Sequence, residues 1–166
     1  MPLKLSRALV AVTAATVVFT ASACSTNTPV SPPITQLVGK QYASWGATGA
    51  PDADDALEQF ADENEPVMIT STGEWDAWLA ALPPELAERS LPYRPGFEEA
   101  VMVIGSYDEC GAEPQVMLLD NTVLKFNVWV DPDVECAEDP GTTIEMTLVE
   151  FDEIAATSHD DITFTF

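Results

Sequence analysis

"AVMVIGSYDECGAEPQVMLLDNTVLKFNVWV", residues 100–130, decides the fold. Its first part, Ala100 to Tyr107, is almost continuously apolar, the pattern of a strand covered on both faces. Two later parts, "QVMLL" and "VLKFNVWV", flank Asp120-Asn121, a pair suited to a tight hairpin turn. In the last of them Leu124, Phe126, Val128 and Val130 alternate with Lys125, Asn127 and Trp129, so the strand has an apolar face and a mixed one. Read as an up-down-up meander, strands 100–107, 115–119 and 123–130 bring the ends of the first and third together. Cys110 follows the first and Cys136 the third, which places them for a disulfide. Its loop of about 27 residues constrains the unfolded chain by roughly 3.5 kcal/mol in the chain-entropy account.

Working outward, "STGEWDAWLAAL" (71–82) has the marks of a helix. Ser71 and Glu74 have capping-box spacing. Trp75, Trp78, Leu79 and Leu82 recur at i, i+3, i+4 and i+7, and Pro83-Pro84 stops the run. Two tryptophans on one stripe suit a ligand platform or a core; their apolar company favours the core. Val67 to Thr70 reads as a strand, as do residues 143–149, with Ile144, Met146 and Leu148 inward, and the final "ITFTF", with Ile162, Phe164 and Phe166 alternating. The expected class is α+β, with one amphipathic helix packed on a mainly antiparallel sheet of about six strands, over residues 66–166. Residues 24–65, with Pro29, Pro32, Pro33 and Pro51 among Ser, Thr, Ala and Gly, read as a flexible acidic tether. A free segment of that length spans on the order of 35 Å. Within it "DADDALEQFADENE" makes a marginal helix through Ala56, Leu57 and Phe60, lacking a partner surface.

At the N-terminus, Lys4 and Arg7 precede an uncharged run from Ala8 to Ala23. A basic n-region, an apolar h-region and small residues before a junction describe a signal peptide, residues 1–23. The run is shorter than the roughly 20 apolar residues of a membrane span. Its end, Ala21-Ser22-Ala23-Cys24, resembles the lipobox of bacterial lipoproteins, with Ala21 where that family usually has Leu. The resemblance implies cleavage before Cys24, lipid on its sulfur, and anchoring at the extracytoplasmic side of the cell membrane. An ordinary signal cleaved after Ala23 and an uncleaved anchor helix are the alternatives. Export agrees with pairing of the two remaining cysteines, because that compartment is oxidising.

The processed chain keeps all 28 acids and four of the six bases, Lys40, Arg89, Arg94 and Lys125, so the formal charge moves from −22 to −24. Nucleic-acid binding, which depends on Lys and Arg at phosphates, is excluded as an expectation, and so is attraction to anionic head groups. The acidity reads as a solvated surface, with cation binding as the alternative.

No motif identifies a reaction. His159, the only histidine, has Ser158 and Asp160 beside it, but neighbours in sequence do not converge as a triad does, and no G-x-S-x-G turn is present. Asp131, Asp133 and Glu135 resemble the opening of a calcium loop, yet Cys136 and Thr142 stand where that loop needs Gly and Glu. They read as a solvated turn. No catalytic residue, cofactor or metal site is expected. Trp129, on the mixed face of its strand, is the candidate partner-binding residue, with cover by the tether through Tyr42 or Trp45 as the other account.

The order of strand, "STGEWDAWLAAL" helix, Phe97, "VMVIGSYDEC" and a meander ending in "VEFDEI" is similar to the extracytoplasmic domain of protease-complex accessory proteins of the PrcB type, over residues 66–166. The glycine-rich turn of that family is absent after Gly105. The resemblance implies an accessory, protein-interacting module without catalytic residues of its own. The expected function is therefore that of a lipid-anchored extracytoplasmic lipoprotein with a non-catalytic binding or accessory domain for a protein partner. A small secreted hydrolase using acidic residues and a divalent-cation-binding lipoprotein are the alternatives.

Overall fold

The computed structural model describes residues 35–46, 53–136 and 140–166, so the signal segment, Cys24 and the linker prolines lie outside the described residues. The described residues form eight strands and three α-helices: β1 (Gln36–Leu37), β2 (Lys40–Gly46), α1 (Asp54–Glu63), β3 (Val67–Ile69), α2 (Thr72–Ala81), α3 (Pro84–Ser90), β4 (Ala100–Asp108), β5 (Ala112–Asp120), β6 (Val123–Val130), β7 (Thr142–Glu150) and β8 (Thr163–Thr165). They form two sheets rather than the single one expected. The central sheet has the order β2-β7-β4-β3 and the outer sheet β1-β5-β6-β8. All pairs are antiparallel except β6 with β8.

Alternation along β4 and β7 explains the layering. Met102, Ile104, Ile144, Met146 and Leu148 pack with Leu57, Phe60, Trp75 and Leu86 of the helices. Val101, Val103 and Val149 pack instead with Val116, Leu124, Phe126 and Ile162 of the outer sheet and its flanks. The central sheet is thus covered on both faces, by helices and by a second sheet, as the unbroken apolar run of β4 requires. No helix among the described residues is long and apolar enough to cross a membrane.

Part of the segment expected as a tether is built into the fold. Residues 36–46 supply β1 and β2, and β2 pairs with β7 from Lys40↔Leu148 to Gly46↔Thr143. Helix α1 has the partner surface its sequence does not reveal: Leu57 is fully buried and Phe60 nearly so. The fold therefore takes in described residues well before 66. Between β1 and β2 the chain passes from one sheet to the other at Gly39, whose φ of +80° suits glycine. A Cβ there would also lie 2.7 Å from Thr147 Cγ2.

Helix α2 begins as the sequence implies. The N–H of Glu74 donates to Ser71 Oγ at 3.2 Å, and the Glu74 carboxylate accepts from Thr70 N at 2.7 Å and Thr70 Oγ1 at 2.8 Å. Those bonds, led by the Thr70 amide, hold the Glu74 carboxyl below its ordinary range. Trp75 is fully buried and its ring lies 5.1 Å from that of Trp78, which meets Phe60 edge-on. Both tryptophans belong to the core. Pro83-Pro84 ends α2 and also starts α3, with Pro84 in the first turn, where a missing N–H costs nothing.

The meander is corrected too. β5 and β6 form the expected hairpin, from Ala112↔Val130 to Asp120↔Val123. β4, however, pairs with β3 and β7, so the chain turns a corner between sheets after Asp108. The disulfide is nevertheless made, with Cys110 and Cys136 Cα atoms 5.4 Å apart. The hairpin alone suffices for it: pairing of Ala112 with Val130 sets the corner beside the end of β6, where Asp131 N donates to Gly111 O at 2.8 Å.

Candidate functional site

The face of the central sheet that meets the outer sheet changes character along its length. At one end stand Val101, Val103 and Val149; at the other, Tyr107 of β4, Thr143, Glu145 and Thr147 of β7, and Gln41 and Ser44 of β2 share that face through direct register. The outer sheet does not close over this polar end. β1 is only two residues long, and its last backbone link to β5 is Val38 N to Val116 O at 3.0 Å. Beyond that link the edge of β5 stands clear of β2. A cleft of about 380 Å³ opens there, lined by Gln41, Tyr107, Glu113, Gln115, Glu145 and Thr147, with Leu37, Val38, Pro114 and Val116 as its apolar wall.

Glu145 is the central group of this cleft, with 5% of its surface exposed. Gln41 Nε2 donates to its Oε2 at 2.9 Å, and Ser44 supplies a second hydrogen bond. Burial pushes its carboxyl above the ordinary range, and the bonds from Gln41 and Ser44 offset that only in part. Tyr107 is pushed up as well, by burial first and by the Glu145 charge second, while bonding to Ser44 and Thr143 pulls it down. Thr143 Oγ1 donates onward to Glu109 Oε1 at 2.6 Å. A polar chain therefore runs from Gln41 through Glu145, Ser44, Tyr107 and Thr143 to Glu109. Among the described residues no Lys, Arg or His pairs with Glu145: Lys40 is bound to Glu150, and Arg94 lies 3.7 Å from Asp76.

The sign of the shift fixes a stability test. A carboxyl with a raised folded-state pKa binds its proton more readily in the native chain, so its charge costs stability above that pKa, and the cost disappears as acid protonates it. Glu145→Gln raises the melting temperature at pH 7, and the gain shrinks as the pH falls through the folded pKa toward the ordinary carboxylate range. Thermal melts of both chains across that interval check it; an unchanged or lowered melting temperature at pH 7 would show that Glu145 is a net stabiliser.

The residues expected from sequence stand elsewhere. Trp129 is 46% exposed, with Val130 at 55% and Val134 at 43%. It lies across from Glu113 in the β5–β6 ladder. Trp45 does not cover it, being stacked on Tyr93 at 5.7 Å and packed against the helix-side core. His159 sets Nε2 3.3 Å from Ala100 O and its ring against Phe151, while Ser158 Oγ donates to Asp161, so no triad assembles among them. Asp131 and Asp133 make a turn, with Asp133 N donating to Asp131 Oδ1 at 2.9 Å. Among the described residues no group of three or more His, Cys, Asp or Glu is arranged to hold a metal. Sequence reading missed Glu145, Tyr107 and Gln41. The available signal was a carboxylate between two threonines at the alternate positions of β7, which matters only once a second sheet faces them. Compared with known proteins, the chain matches no family model, no curated protein and no solved structure.

Proposed function

We propose that the chain is an exported lipoprotein held at the outer face of the cytoplasmic membrane by lipid on Cys24, and that its folded part is a non-catalytic binding domain for an extracytoplasmic protein. The observation that carries the binding role is the exposure of Trp129 with Val130 and Val134 at the end of the outer sheet braced by the disulfide. Exposed tryptophan is enriched where proteins bind one another, and a braced surface loses little freedom on docking. The disulfide is also consistent with export. Trp129→Ala is expected to change stability by no more than about 0.5 kcal/mol, as for surface positions, while abolishing recovery of a partner by crosslinking in cells. Equal recovery from the Ala variant removes Trp129 from the interface. Detergent partitioning tests the anchor: Cys24→Ser moves the chain to the aqueous phase, and full retention with the membranes would exclude lipid as its hold.

A second reading, a small secreted hydrolase working through carboxylates, draws support from Glu145 alone, since a buried acid in a cleft is a candidate for proton transfer. The hydrogen-bonded neighbours of Glu145 are Gln41 and Ser44, with no histidine beside them to relay a proton, so the binding role is preferred.

A further inference from the structure

We propose that the cleft between β2 and β5 is a binding site for an organic cation, a primary ammonium or guanidinium head on a short alkyl chain, with Glu145 as the charge that receives it. This site is independent of the Trp129 surface. Three features converge. The Glu145 carboxylate is buried, yet its hydrogen bonds come only from the neutral groups of Gln41 and Ser44, and none of the described bases pairs with it. A buried carboxylate without a cation is strongly selective for one, because the pair forms where water screens least. The walls match the rest of such a ligand: Val38, Pro114 and Val116 give an apolar side for methylenes, and Tyr107, Gln115 and Thr147 supply acceptors and donors beside the head. Size argues against a bare metal ion, since about 380 Å³ accommodates several carbon atoms and one buried carboxylate falls short of the oxygen set that calcium takes. The charge of the whole chain, −22, draws cations toward the opening.

The groups facing Glu145 are identified on every side. β4 brings Tyr107, β5 brings Glu113, β2 brings only neutral Gln41 and Ser44, and β6 sends the Phe126 ring over Gly105, the β4 residue paired with Glu145. Protonation of Glu145 removes the receiving charge, so cation affinity falls with pH while that of a neutral ligand does not.

Calorimetric titration of the full chain with n-butylammonium, with n-butylguanidinium and with 1-butanol tests the site. Saturable binding of either cation, at least tenfold tighter than butanol, is expected, with a loss of about tenfold to a hundredfold in Glu145→Gln, the range of one charge-assisted hydrogen bond. The pH arm needs no variant: binding weakens on acidification through the Glu145 titration. Butanol binding as tightly as butylammonium, unchanged affinity in Glu145→Gln, or a flat pH profile would each overturn the proposal. A doubly blocked lysine tripeptide as a further probe separates the sources: tighter binding than butylammonium assigns the head to a polypeptide side chain, weaker binding to a free amine.

Discussion

A chain beginning at Pro66 does not fold, whereas one beginning at residue 35 unfolds in a single cooperative transition. Starting at 66 removes β2 and α1 and with them the fully buried Leu57 and nearly buried Phe60, which together contribute about 3–6 kcal/mol by burial. It also strips one edge of β7, a strand buried along eight of its nine residues, leaving backbone groups and the side chains of Ile144 and Met146 uncovered. Set against a typical net stability of about 5–15 kcal/mol, the lost burial and the opened edge of β7 together remove most of what holds the domain folded. Urea titrations followed by tryptophan fluorescence and far-ultraviolet circular dichroism decide it; a cooperative transition in residues 66–166 would show that α1 and β2 are ornaments on an autonomous core.

Gly105→Val destabilises the domain by about 3 kcal/mol or more, at or above the usual range for overpacking. A Cβ at position 105 would stand 2.4 Å from Phe126 Cζ and 2.5 Å from Cε1, and the ring has no room to withdraw, being 4% exposed between the sheets. The glycine is required by this close approach and not by its backbone angles, which any residue adopts. Phe126→Leu, harmful alone, recovers part of the loss when combined with Gly105→Ala, because neighbours that share one space are not additive. Midpoints of urea unfolding for the two single variants and the double variant give the coupling; strict additivity would mean that Phe126 is not the obstacle.

Local chemistry was legible where one element carried its own signal. Ser71 and Glu74 mark the start of α2, and the Leu124/Phe126 alternation fixes the face of β6. The corner after Asp108 was not legible, because a tight turn and a crossing between sheets place the same residue types between the same apolar runs. β2 escaped notice as a short edge strand with a register shift between Gln41 and Ala43 and several exposed polar residues; Tyr42 and Trp45 were its only cue. Helix α1 was visible as a pattern but not as a structure, since its two anchors need the central sheet to pack against. The same reason hid the candidate site. Glu145 is unremarkable in β7 until β5 is known to wall the cleft in which it is buried, and that is a property of two strands about 30 positions apart.

The pairing of β2 with β7 bears on the order of events during biosynthesis. Lys40 meets Leu148, about 100 positions later, so the first strand of the central sheet is made long before the strand it joins. At about 5–20 residues per second that gap amounts to roughly 5–20 seconds on the ribosome. Throughout it the β2 segment has no native strand partner, and the interval is a window in which chaperones can engage an unfolded chain. Folding then waits for the last quarter of the polypeptide, whose arrival completes both cores at once.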